Sequence, residues 1–326
     1  MRPPEFWSHG DIASRAISAT LAPLGTLYGE SVAWRRRLQK PCRPDVAVIC
    51  IGNLTVGGAG KTPVAIAIAR ILQAASAPVF FLTRGYRRRS AGALRVDTKI
   101  HDTHFVGDEA LLLARVAPTI VATDRAAGAR LAQSQGARVI VMDDGHQNFD
   151  IAKDLSVVVI DSDFAFGNGR IVPAGPLRES VQRGLTRADA VVLMGQGNPA
   201  LAGFSGRVCR ASLIADRRLD GQRVVAFAGI GRPSKFFDTL KGVGAKVVEC
   251  HSFGDHHVYS QGEIAELKRH AAAALATPIT TEKDFVRLNA QDREDIEVLP
   301  VQVEFENPTV LEPLLDSLLA KMRSLA

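Results

Sequence analysis

From residue 45 onward the chain alternates short apolar runs with stretches of helical periodicity. Residues 46–51 read as a buried strand and residues 63–74 as the helix that follows. Further apolar runs lie at 79–83, 119–122, 139–142, 157–160 and 190–194, with helix-like stretches such as 109–116 and 126–135 between them. Uninterrupted apolar strands alternating with helices predict a mostly parallel sheet covered on both faces. A second, smaller α/β unit begins near Gly221, with strands at 224–228 and 246–249 and helices at 235–241 and 262–273. A strand at 301–305 and a helix at 310–322 close the chain. The linker-like stretch 213–222 sets the boundary, so the expected organisation is 1–40, 41–217 and 218–326, without internal repeats.

Residues 1–40 follow a different pattern. Between Arg15 and Glu30 lie 14 uncharged residues in which Ile17, Leu21, Leu24, Leu27 and Tyr28 recur near helical spacing. That is too short to span a bilayer, which needs about 20 apolar residues. Pro23 and Gly25 are expected to break or bend the helix. Trp7 and Trp34 flank the stretch and Arg35-Arg36-Arg37 follows, an arrangement suited to a segment lying in the lipid headgroup region. The alternative is an N-terminal helix packed on the protein's own core.

The 326 residues carry a formal charge of +6, with arginine in runs such as 35–37 and 87–89. Such a balance fits an anionic partner. Only 6% of residues are aromatic and none interleave the basic runs, which argues against a single-stranded nucleic-acid groove. The cysteines, Cys42, Cys50, Cys209 and Cys250, are scattered, so the spacing indicates neither a zinc knuckle nor a redox pair.

The sharpest local signal is Thr55-Val56-Gly57-Gly58-Ala59-Gly60-Lys61-Thr62, between a strand and a helix. Glycines let backbone N–H groups turn toward phosphate oxygens, and the helix N-terminus adds positive potential. Lys61 would reach the outer phosphates and Thr62 would ligate Mg²⁺. Thr55 departs from the general pattern, which has glycine there. A phosphate loop needs a metal-binding carboxylate at the end of a neighbouring strand. Asp143 and Asp144, closing the 139–142 run, supply it, although aspartate there also suits a helix cap. Gln147 adds a polar group beside them. The predicted fold is thus of the P-loop NTPase type.

In order along the chain, the loop is accompanied by Thr83-Arg84-Gly85-Tyr86, Val106-Gly107-Asp108-Glu109, Asp143-Asp144-Gly145-His146-Gln147, Pro173-Ala174-Gly175-Pro176-Leu177-Arg178-Glu179, Phe253-Gly254-Asp255-His256-His257 and Thr281-Glu282-Lys283-Asp284. Together these resemble the tetraacyldisaccharide 4′-kinases of Gram-negative lipid A synthesis, over nearly the whole chain. Thr55 is itself usual in that family. The resemblance implies transfer of the γ-phosphate of ATP, with Mg²⁺, to the 4′-hydroxyl of an acylated glucosamine disaccharide 1-phosphate. It also implies work at the cytoplasmic face of the inner membrane. No obligate protein partner is evident.

By the same resemblance Asp108 is the base that accepts the sugar proton, paired with His256 from the second unit; the residues alone would favour Asp108 as a helix cap with Glu109 in the first turn. If separate units carry the pair, closure on ATP and lipid is expected to assemble it. Arg178 is the candidate to stabilise charge on the phosphoryl group, with Arg170 as fallback and a surface ion pair as the bland alternative. Arg84 and Tyr86, at a strand end facing the crevice, and Glu109 are assigned to substrate contact. His101 and His104 read as loop residues. Two rivals remain: a nucleotide-hydrolysing switch, weakened by the lack of a guanine-reading motif, and a noncatalytic lipid binder, weakened by intact Lys61, Thr62, Asp143 and Asp144.

Overall fold

The structure, a computed structural model, describes residues 4–8 and 11–323; residues 1–3, 9–10 and 324–326 of the segments named above lie outside them. The strands are β1 (Ala47–Gly52), β2 (Val79–Thr83), β3 (Leu94–Arg95), β4 (Thr119–Val121), β5 (Val139–Asp143), β6 (Leu155–Asp161), β7 (Ala190–Met194), β8 (Arg207–Ala215), β9 (Arg223–Ala228), β10 (Lys246–Ser252), β11 (Thr277–Thr281), β12 (Glu297–Leu299) and β13 (Val301–Phe305). The helices are α1 (Ile12–Leu38), α2 (Lys61–Ala74), α3 (Thr103–Val106), α4 (Asp108–Ala114), α5 (Arg125–Ser134), α6 (Val181–Leu185), α7 (Pro233–Gly242), α8 (Gln261–Ala273), α9 (Glu282–Phe285) and α10 (Glu312–Arg323).

Nine strands form one sheet in the order β13-β8-β7-β6-β1-β5-β2-β4-β3, and four form a second in the order β10-β9-β11-β12. The interior pairings of the large sheet are parallel; β13 on β8 and β3 on β4 are antiparallel at its edges. β1, β5, β6 and β7 are buried along their whole length, as their unbroken apolar sequences require. The expected α/β class holds. The expected segment 218–326 is not one unit, because β13 rejoins the large sheet. α10 follows it, packing Leu315 and Leu318, with Leu311 just before it, into the cluster that holds Val64, Ile68 and Leu72 of α2.

α1 corrects a second expectation. It runs unbroken for 27 residues through Pro23 and Gly25, capped by the Asp11 side chain. Contacts on both sides of Pro23 hold it: the Ser18 hydroxyl donates to the Ala174 carbonyl at 2.7 Å, and Gly25 and Gly29 lie against Ile171. A Cβ on Gly25 would stand 2.6 Å from the Ile171 carbonyl oxygen, so only glycine permits this approach. The helix therefore buries Ser14, Ser18, Gly25, Gly29 and Val32 and turns Ile17, Leu24, Leu27, Tyr28 and Trp34 outward, with Leu27 68% and Trp34 63% exposed. Among the described residues no helix is long and apolar enough to cross a membrane.

Candidate active site

The phosphate loop connects β1 to α2, with Gly57 and Gly60 in left-handed backbone that favours glycine. Thr55 needs no such freedom. It is extended, bridged to Leu177, and flanked by the Val56 N–H donating to Pro176 O and the Arg178 N–H to Leu54 O, both at 2.7 Å. This stitching fixes the turn that carries Arg178 beside the loop.

At the head of α2 the Thr62 hydroxyl donates to Asp143 Oδ2 at 2.8 Å. The other oxygen of Asp143 is buried and finds no hydrogen-bond partner among the described residues. Burial, together with the negative charges of Glu109 and Asp144 and against the pull of Lys61 and the Thr62 hydrogen bond, pushes the Asp143 carboxyl up to about 7. A hydroxyl beside an unsatisfied, buried carboxylate oxygen fits a hard divalent cation such as Mg²⁺.

Asp144 is engaged differently. Arg178 grips it with both terminal nitrogens at 2.7 and 3.0 Å, and Lys61 Nζ lies 3.8 Å away. Desolvation alone would raise Asp144, but Lys61, Arg178 and Arg125 hold it well below the ordinary carboxylate range. Gln147 donates to Asn53 O and Glu179 Oε1 and accepts from Arg178, so its amide is tied to the Arg178 turn rather than to Thr62 and Asp143. Arg178 is likewise committed to a carboxylate, and Arg170 is exposed. His146 is fully buried, donating to Gly184 O through Nε2 in its neutral form, and burial first, then Arg187 and Lys153, lower its pKa to about 3.

The second cluster joins the two sheets. Asp108 opens α4, with Gly107 rather than Asp108 as the cap residue. Asp108 Oδ2 meets His256 Nδ1 at 2.8 Å and Arg287 Nε at 2.9 Å, while Oδ1 accepts the Glu109 N–H. Burial would raise the Asp108 carboxyl, but the His256 hydrogen bond and the charges of Lys283 and Arg287 hold it far below the usual range. Arg287, 3% exposed, also binds Asp284 at 2.8 Å and Gly229 O at 2.7 Å. Lys283 pairs with Glu109 at 3.2 Å. The pair expected to be brought together by closure is thus already in contact. Tyr86 stands over it, its ring centroid 5.1 Å from that of His256. Arg84 is exposed at the end of β2, on the side of Arg125. His257 binds Glu263 instead, and His104 lies in α3 rather than a loop.

Three cations were not anticipated from the sequence. Arg125, 3% exposed at the start of α5, acts electrostatically on Asp143 and Asp144 and is lowered to about 10, chiefly by burial. Lys283 and Arg287 reach Glu109 and Asp108 from α9 and the turn after it. The Thr281-Glu282-Lys283-Asp284 motif marks the neighbourhood, but nothing in local spacing assigns its side chains. The two clusters face each other: Glu109 is a principal influence on Asp143, and Gly231 of the small unit lies against Gly58 of the loop. The whole can hold a nucleotide phosphate beside a carboxylate able to accept a proton.

A family model described as tetraacyldisaccharide-1-P 4′-kinase matches residues 17–320. A tetraacyldisaccharide 4′-kinase of Paramagnetospirillum magneticum is 50% identical, covering 97% of this chain and 98% of that one. One from Rhodospirillum rubrum is 45% identical over 98% of each. Among solved structures, the "apo" form of LpxK from Aquifex aeolicus in complex with ATP superposes with a TM-score of 0.76 at 28% identity, covering 92% of this chain and 99% of that one.

Proposed function

The chain belongs to the tetraacyldisaccharide-1-P 4′-kinase family, and from that premise we propose how its own residues carry the family's reaction. It is an ATP-dependent kinase that phosphorylates the 4′-hydroxyl of tetraacyldisaccharide 1-phosphate in lipid A biosynthesis. The single observation that carries the assignment of residues is the Asp108–His256 contact at 2.8 Å, across from the phosphate loop.

The loop N–H groups and Lys61 bind the β- and γ-phosphates; Thr62 and Asp143 would hold Mg²⁺, which would supply charge neutralisation at the phosphate oxygens. Asp144 does not compete for that role in this reading. Clamped by Arg178, it keeps Lys61 directed at the loop. Arg178 stabilises Asp144 first and reaches phosphoryl charge only by exchanging partners. Arg125 offsets the acidic pair from behind.

Asp108 Oδ2 is saturated by His256 and Arg287, which leaves Oδ1 to receive the sugar hydroxyl. A carboxylate held so far down is a weak base. Phosphoryl transfer through a loose transition state asks little of it, since the hydroxyl becomes acidic only as the new bond forms. Asp108 therefore orients the oxygen and takes its proton late. His256 fixes the carboxylate by donating from Nδ1 to Oδ2, and its Nε2 lies 3.9 Å from Asp255. Tyr86, Arg84 and Glu109 border the entry for the sugar and its anionic groups.

The outward row Ile17, Leu24, Leu27, Tyr28 and Trp34, followed by Arg35, Arg36 and Arg37, supports peripheral or monotopic attachment of α1 to the cytoplasmic face of the inner membrane. A helix that hides serines and glycines and exposes leucines has a nonaqueous neighbour on that side.

The test is a detergent-micelle assay with γ-labelled ATP, Mg²⁺ and tetraacyldisaccharide 1-phosphate, comparing the protein with Asp108→Ala. Labelled lipid that falls by about 10²-fold or more in the variant is expected. Steady phosphate release without labelled lipid would sink the assignment.

A further inference from the structure

In the small sheet, Glu249 and His251 stand two residues apart on β10 and so share a face. The last turn of α8 brings His270 to the same point. Glu249 Oε2 lies 3.0 Å from His251 Nε2 and 2.8 Å from His270 Nδ1, and the three ligand atoms all fall within 4.8 Å of one another. We propose that Glu249, His251 and His270 form a binding site for a transition-metal dication of the Zn²⁺ class, separate from the Mg²⁺ site of the kinase reaction.

The chemistry favours an ion over an ordinary surface cluster. Two imidazoles and one carboxylate are a recurrent three-residue ligand set for zinc, with the fourth position left to water. Ligand atoms around a tetrahedral zinc ion sit roughly 3.4 Å apart, given bonds of about 2.0–2.2 Å. The two observed contacts open by a few tenths of an ångström and the two histidine nitrogens, within 4.8 Å of each other, draw together, movements for which the half-exposed side chains have room. One carboxylate oxygen placed within hydrogen-bond reach of two histidine nitrogens leaves those nitrogens convergent, as ligation demands. The uncoordinated Nε2 of His270 faces Glu266 Oε1 at 3.8 Å, one helical turn earlier. That places a carboxylate behind a ligating histidine, the arrangement that orients metal-bound imidazoles and raises their basicity. Imidazole selects Zn²⁺, Co²⁺, Ni²⁺ or Cu²⁺ rather than Mg²⁺, so millimolar Mg²⁺ in a kinase assay would not fill it. An ion here would tie the edge strand β10 to α8. Cys250 projects to the other face of the strand and takes no part.

The experiment uses the full-length untagged protein, stripped with chelator and titrated with Co²⁺ in the presence of saturating Mg²⁺. One equivalent bound, with visible ligand-field absorption displaced by Zn²⁺ and a rise in melting temperature, is the expected result. His251→Ala and His270→Ala should each abolish the band, and Glu266→Gln should weaken binding about tenfold. Lipid kinase activity with Mg²⁺ should not change in any of these variants. No saturable absorption, or the same affinity and spectrum in the His251→Ala/His270→Ala double variant, overturns the proposal.

Discussion

Arg287 touches both sheets' contributions to the reactive cluster, so its loss reads out on stability and on chemistry together. It is 3% exposed and bridges Asp108 and Asp284, themselves 6% and 0% exposed. Removing one partner of a buried ion pair costs about 3–5 kcal/mol, because the remaining charge is left uncompensated. In Arg287→Met, His256 and Lys283 still attend Asp108, and Tyr259 and the Gly229 N–H still attend Asp284. The expected cost is therefore at the low end, about 3 kcal/mol. The same substitution removes one of the influences that depress Asp108, so its carboxyl must rise. A group depressed in the folded state contributes stability above its unfolded value and loses it as pH falls through its folded value. Raising that folded value moves the acid limit of both stability and rate upward. Thermal unfolding and kcat/KM in micelles, followed from acid to alkaline pH, measure both effects. Arg287→Lys keeps the charge but loses the planar fork that holds Asp108, Asp284 and the Gly229 carbonyl at once, and it should fall between. It also carries the test if the methionine variant does not fold. A methionine variant with the parent melting temperature and an unshifted acid limb would refute the reasoning.

Three further outcomes are expected. Leu24→Glu with Leu27→Glu should change unfolding free energy by no more than about 0.5 kcal/mol, since both side chains face outward. Sedimentation with anionic vesicles should fall at least about tenfold, and undiminished sedimentation would remove α1 from the membrane. His146, with a folded pKa of about 3 against an ordinary 6.5, makes the unfolded chain the better proton acceptor below pH 6.5. From pH 7 to 5 that one group should remove up to about 2 kcal/mol of stability, and urea titrations of His146→Gln should show a correspondingly shallower loss. Gly25→Val should push the helix off Ile171, seen as faster hydrogen exchange in α1 with the sheets still protected; unchanged exchange in α1 would contradict the close packing.

What the sequence disclosed was what is local. The strand-loop-helix around Lys61 and the acidic end of β5 carry their chemistry within a few residues, so Thr62 and Asp143 were legible together. The division of labour between Asp143 and Asp144 was not, because it depends on Arg178 reaching back 34 residues. Arg287 meets Asp108 across 179 residues, a distance at which spacing says nothing. Pro23 was misread for a related reason: intrinsic propensity argued for a break, and docking of Ser18, Gly25 and Gly29 outweighed it. The half-buried alternation of residues 301–305 announced a strand but not its partner.

That partner has a consequence for how the protein is made. The helix of the phosphate loop, α2, leaves the ribosome well before Leu311, Leu315 and Leu318, which complete its apolar cluster. At about 5–20 residues per second, roughly 240 residues of synthesis separate Leu72 from Leu311, a wait on the order of ten seconds or longer. Throughout it, an apolar flank of the nucleotide-binding half stays uncovered and open to chaperones or misassociation. A message truncated just before α10 would yield a chain with every reactive residue named above and no finished core to hold them.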